Sequence, residues 1–177
     1  MNYTVVWTKA LLYSQRFVKS VCRQIDSVIE KRANIIPGIT SGFSDFNDAL
    51  DQTEKVIYFI EQKKRTLKLA VSCEDILEIM KPEYRKALCL KFKTFKTNKE
   101  IEKIMVCSLR TYFRHINEGI KAFTKLRERL NLSDEYLDNL YRQDRWILKL
   151  KTKASYEEDT KQKIVNVKLK NKNKLTA

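Results

Sequence analysis

Glycine and proline are scarce: the 177 residues include three of the first and two of the second. These residues punctuate turns and strands, so their rarity excludes a turn-rich sheet protein and favours long uninterrupted helices. Histidine is rarer still, with His115 alone, and the chain holds no glycine-rich phosphate loop, no His-Glu-x-x-His and no Gly-x-Ser-x-Gly elbow. No recognisable acid/base pair of carboxylates takes their place, so a binding protein is expected rather than an enzyme. The four cysteines, Cys22, Cys73, Cys89 and Cys107, form no Cys-x-x-Cys pair. Zinc is therefore not expected, nor any other cofactor, and the thiols read as reduced side chains in a cytosol. No basic region precedes an apolar run at the start, and no apolar stretch nears the ~20 residues that span a bilayer. The expectation is a cytoplasmic protein with no membrane partner.

Negative charge is also short. Lys and Arg number 36 against 22 Asp and Glu, a formal charge of +14, which favours polyanionic partners such as nucleic acid. Apolar residues make up 43 % of the chain, enough for a core. Together these features predict an all-α fold.

From Thr4 to Arg32 nothing breaks a helix, and Leu11, Val18 and Ile25 recur every seven residues beside Ser14, Val21 and Val28. One long amphipathic helix is predicted there. Asn34 to Asn47, with Pro37, Gly38 and Gly42, reads as a reversing loop. Ala49, Thr53, Val56, Ile60, Leu67 and Ala70 then repeat at four-three spacing, which predicts the second arm of an antiparallel helical hairpin over residues 1–71. Such stripes can face each other within one chain or pair two copies, so a homodimer stays an open alternative.

Ser72 with Asp75 reads as a new helix start, ending before Pro82, and Pro82 suits the first turn of a helix carrying Tyr84, Ala87, Leu88 and Phe92. Thr97 with Glu100 is a capping box, and Ile101, Ile104 and Met105 give the helix behind it an apolar side. Ser108 is a good N-cap for the next helix. There Tyr112, Phe113, Ile116, Ile120 and Phe123 fall on a core side, and Arg110, Thr111, Arg114, Lys121 and Lys125 on the other. Between Met80 and Glu128, nine Lys and four Arg stand against five Glu, a balance of +8. Charge concentrated around a paired-helix pattern favours phosphate contact.

Met80, Pro82, Arg85, Leu88 and Leu90, then Glu100-Ile101 and Met105, then Ser108, Thr111 and Arg114 together resemble the helix-turn-helix of sigma-70 family region 4 and related regulators. The likeness covers residues 72–130, with Glu102 where the family usually has a small Ala and Val106 where its turn usually has Gly. The resemblance implies a DNA-binding transcription regulator whose helix from Ser108 enters the major groove of double-stranded DNA. On that reading Arg110 and Arg114 touch bases or phosphates, Ser108 and Thr111 sit at the entering end, and Lys99, Lys121 and Lys125 lie at the phosphate rim. It also implies RNA polymerase as a further partner. The layout of a helical hairpin before such a module is similar to phage-type late regulators, with a small degenerate sigma factor as the alternative. An alternative of another class is a protein-interaction or RNA-binding assembly module.

Ser133, with Asp134 and Glu135 in the first turn, predicts a helix to about Lys151, whose Tyr136, Leu137, Leu140, Tyr141, Trp146 and Ile147 read as core. Residues 152–177 are polar, and the six lysines from Lys161 onward meet no acid. That composition predicts an unstructured basic tail.

Overall fold

The computed structural model describes residues 3–33, 44–94 and 96–175, and among them every regular element is a helix and no strand occurs. The helices are α1 (Tyr3–Ser14), α2 (Val18–Ala33), α3 (Ser44–Glu78), α4 (Pro82–Phe92), α5 (Asn98–Met105), α6 (Leu109–Arg129), α7 (Asp134–Leu140) and α8 (Arg145–Leu175). The all-α expectation holds. Most of the reversing loop expected at Asn34 to Asn47 lies outside the described residues, and α3 already begins at Ser44.

The single helix expected from Thr4 to Arg32 is two. The amides of Arg16 and Phe17 reach back only three residues, to the carbonyls of Tyr13 (3.3 Å) and Ser14 (2.8 Å), and the Ser14 hydroxyl donates to the Leu11 carbonyl at 2.6 Å. Such local bonds compete with the helical ladder and turn the chain. Two kinds of helix result. Every residue of α1 from Val6 to Ser14 is buried, so it is a core helix enclosed on all sides. In α2 only Val18, Cys22 and Ile25 are buried.

α2 and α3 run antiparallel: Arg32 meets Gln52 (2.8 Å) and the Phe59 ring, while Asp26 meets Lys63 (2.5 Å). The face of α3 toward α2 passes through Gln52, Phe59 and Lys63. The stripe expected there is therefore rotated, and its Thr53, Ile60 and Leu67 are exposed. No new helix starts at Ser72, because α3 is continuous to Glu78. A capping residue does not interrupt a helix whose next turns keep burying apolar side chains, and Leu69, Cys73, Ile76 and Leu77 do so.

The helix expected from Ser133 to Lys151 is interrupted at residues 141–144. Asp144, 1 % exposed, accepts from Gln62 Nε2 (2.8 Å) and Arg65 Nε (3.2 Å) on α3. Its carbonyl takes the amides of Ile147 and Leu148 at the start of α8. Leu137, Tyr141 and Ile147 are buried as expected, whereas Tyr136 is exposed. The stretch expected as an unstructured tail is instead the continuation of α8 to Leu175. What holds it is α1: Ala154 is fully buried, the Tyr13 hydroxyl donates to Glu157 at 2.7 Å, and Lys9 pairs with Glu158 at 2.5 Å.

α6 is seated on α4 through its one glycine. A Cβ placed on Gly119 would lie 3.1 Å from Leu88 Cγ, at a branch point that is fully buried. The close approach sets the height of α6 over the core. Gly119→Val is expected to destabilise the fold by about 1–3 kcal/mol through overpacking, read as a lowered thermal midpoint, despite the better helix propensity of valine over glycine.

Candidate functional site

One exposed, basic surface of the molecule is built on α5 and α6. At the start of α5 the Thr97 hydroxyl oxygen accepts the Glu100 amide (3.4 Å), while Glu100 Oε2 accepts the Thr97 amide (2.9 Å) and hydroxyl (2.8 Å). This is the expected capping box. The amide and hydroxyl of Thr97, with Lys96 beside them, hold the Glu100 carboxyl down at about 2. α5 closes at Val106, whose amide bonds the Glu102 carbonyl at 2.9 Å and whose φ of 52° is left-handed. A β-branched residue rarely adopts that conformation. Glu102 is exposed and crowds nothing. Lys86 of α4 donates to the Ile104 carbonyl (2.6 Å) at this end of α5, where free carbonyls favour a cation.

Ser108 caps α6 as expected, accepting the Thr111 amide at 3.3 Å. Tyr112, Ile116, Ile120 and Phe123 are buried. Phe113 is a correction: expected in the core, it is 45 % exposed, because its position lies at the margin of the apolar arc. Arg110, Arg114, Asn117, Lys121 and Lys125 recur at spacings of four, three, four and four, a single outer strip. All five are exposed and Thr111 is half-buried.

Arg110, Thr111, Arg114 and Lys121 line one groove of about 880 Å³ with Phe113, Asn117 and Glu118, and across it stand Val5 and Lys9 of α1 and Glu158 and Lys161 of α8. A neighbouring hollow of about 510 Å³ shares Phe113, Asn117, Ile120, Lys9 and Lys161 and adds Lys91, Ile164 and Val165. The two carboxylates of the groove are engaged, Glu118 by Lys121 (2.9 Å) and Glu158 by Lys9 (2.5 Å) and Lys161 (3.6 Å). Burial raises the Glu158 carboxyl, but the hydrogen bond and charge of Lys9 and the charge of Lys161 outweigh it and leave it below its ordinary value. Arg110 and Arg114 pair with no carboxylate among the described residues. Lys99 on α5, Lys125 on α6 and Ser108, the N-cap of α6, are exposed but stand outside the groove lining.

Lys9, Asn117, Glu158 and Lys161 were not foreseen as neighbours of the site. A signal existed for Lys9, a single charge inside the apolar run from Val5 to Tyr13, which needs a buried counter-charge. Nothing local in the sequence says that α8 supplies it.

Cys22 and Cys73 are buried and Cys89 and Cys107 half-buried, and burial pushes the Cys73 thiol up to about 12. Among the described residues no cluster of three metal-ligating side chains occurs and no helix is long and apolar enough to cross a membrane. No family model, curated protein or solved structure matches the chain.

Two outcomes follow from this geometry. Val106→Gly should stabilise the protein by about 1 kcal/mol, because it removes left-handed strain from a side chain that packs on nothing at 87 % exposure; denaturant unfolding reads it. Because the Glu100 carboxyl is depressed in the fold, its contribution is complete above its ordinary value of 4.5 and is lost as pH falls toward about 2. Protection of the α5 amides relative to their intrinsic exchange rates should fall over that window, and Glu100→Gln should remove that loss.

Proposed function

We propose that the chain is a sigma-like DNA-binding transcription regulator in which α5, the turn at Val106 to Ser108, and α6 act as a helix-turn-helix. The observation that carries this reading is the pair of uncommitted guanidiniums, Arg110 and Arg114, one turn apart on the exposed N-terminal part of α6. A helix of about 10–12 Å diameter fits a major groove about 12 Å wide, with its N-terminal residues at the base edges. Arg110 and Arg114 then meet guanine edges or phosphates, Ser108 and Thr111 lie at the entering end, and Lys99, Lys121 and Lys125 meet phosphates on the flanks. Lys161 lines the groove beside α6 together with these arginines, which supports the reading by adding a further cation. RNA polymerase is the protein partner this reading brings with it, and the cytoplasm its compartment.

A second reading has its own support. Phe113 turned outward, with Ile164 and Val165 exposed across the neighbouring hollow, is a surface that suits a protein partner of an assembly module. Salt separates the two. A protein that neutralises several phosphates loses orders of magnitude in DNA affinity between roughly 50 and 200 mM salt, whereas an apolar protein contact is nearly indifferent.

Replacing Arg110 and Arg114 together by Ala should abolish preference for a selected DNA site, at about 1–3 kcal/mol per lost bidentate contact, while the circular dichroism spectrum stays that of the parent. A double variant that binds its best selected site as tightly as the parent would remove α6 from the recognition role.

A further inference from the structure

α3 has a second apolar face. Leu50, Ile57, Ile60, Leu67 and Val71 are each between 38 % and 58 % exposed, although they are large aliphatic side chains on a well-formed helix. Their spacing is that of a heptad: Leu50, Ile57, Lys64 and Val71 recur every seven residues, and Thr53, Ile60 and Leu67 fill the position three further on. At 100° per residue these seven positions fall within an arc of about 100°. The opposite face of α3 is already occupied by α2 and the core through Phe59, Thr66, Leu69 and Cys73. A three-heptad stripe of this kind, uncovered among the described residues, has the pattern of a coiled-coil seam.

We infer that two copies of the chain associate through this outer stripe of α3, and that they pair antiparallel. The charges decide the direction. Glu54, Glu61 and Lys68 flank the stripe on its solvent side and are all exposed. With Ile57 of one copy opposite Leu67 of the other, Glu54 meets Lys68 of the second copy twice over by symmetry, and the two Glu61 carboxylates meet at the twofold axis, each with Lys64 of its own chain 3.4 Å away. A parallel pair would instead stack Lys64 on Lys64 inside the seam and leave Glu54 opposite Ala49, with no cation to meet. The stacked lysines and the lost Glu54–Lys68 pairs disfavour the parallel register, and a lysine within an aliphatic seam fixes one register among several. The inference stands on α3 alone and is independent of what α6 binds.

Sedimentation of the full chain tests it without DNA, so its failure and that of the nucleic-acid reading are separable. The parent should reach twice the 21.0 kDa of one chain as concentration rises. Ile57→Asp with Leu67→Asp should leave the helical circular dichroism unchanged, both sites being exposed, and hold the protein at one chain. Glu54→Lys or Lys68→Glu alone should weaken association about tenfold, since two exposed pairs turn repulsive at once, and the combined reversal should restore it. A parent that stays at one chain, a dimer indifferent to the aspartates, or a combined reversal no tighter than either single one would overturn the inference.

Discussion

Enclosure of α1 on every side is the constraint on which the other helices depend. A helix with nine successive buried residues from Val6 to Ser14 must meet apolar neighbours all round, and it meets α3, α4, α6, α7 and α8. Its polar groups narrow the choice of neighbours further, because an unpaired buried donor or charge costs several kcal/mol. Trp7 Nε1 donates to Asp138 of α7 (3.1 Å), Thr8 meets Thr124 of α6 (2.8 Å), and Tyr13 and Lys9 reach Glu157 and Glu158 of α8. Each partner is therefore specified as a particular turn of a particular helix, which apolar contact alone would not do.

The groove beside α6 follows from that specification. α6 is fixed to α1 through Thr124, near its far end, and to α4 through Gly119, while its first turns bury Tyr112 and Ile116 and turn Arg110 and Arg114 outward. α8 is fixed to the same helix through Ala154, Glu157 and Glu158. Two helices tied to one strut at different heights leave a cleft between them, bordered by the Lys9–Glu158 tie itself, by the apolar Val5 and Phe113, and by the polar strip of α6. Both carboxylates of the cleft are already neutralised, Glu158 by Lys9 and Lys161 and Glu118 by Lys121.

Residues that act on their own neighbours were legible in the sequence. Thr97, Ser108 and Ser133 each cap the helix expected of them, since a cap needs only the amide two or three residues ahead. The outward strip from Arg110 to Lys125 was legible for the same reason, through helical periodicity. What escaped reading depends on distant partners. The break before α8 rests on Asp144 finding Arg65 and Gln62 some eighty positions earlier. Residues after Lys151 lack the apolar periodicity of a free-standing helix, and they are helical because Lys9 and Tyr13, near the other end of the chain, hold two of their carboxylates. Phe113 sat at the margin of its arc, where a rotation of a few tens of degrees changes core into surface.

Net charge proves a weaker guide than the partners of each charge. Many cations in this chain are structural. Arg127, fully buried, joins α6 to the start of α7 through Asp134 at 2.6 Å. Arg16 closes the end of α4 on the carbonyls of Lys91 and Thr94, Lys86 closes α5 on Ile104, and Arg65 serves Asp144. These residues would be cationic at the same positions whether or not a polyanion ever bound. Arg110 and Arg114 differ from them in kind: both are exposed, and neither pairs with a carboxylate among the described residues. A charge with no structural role, repeated one turn later on the same strip, is better evidence for an external anion than a surplus of fourteen spread over the whole chain.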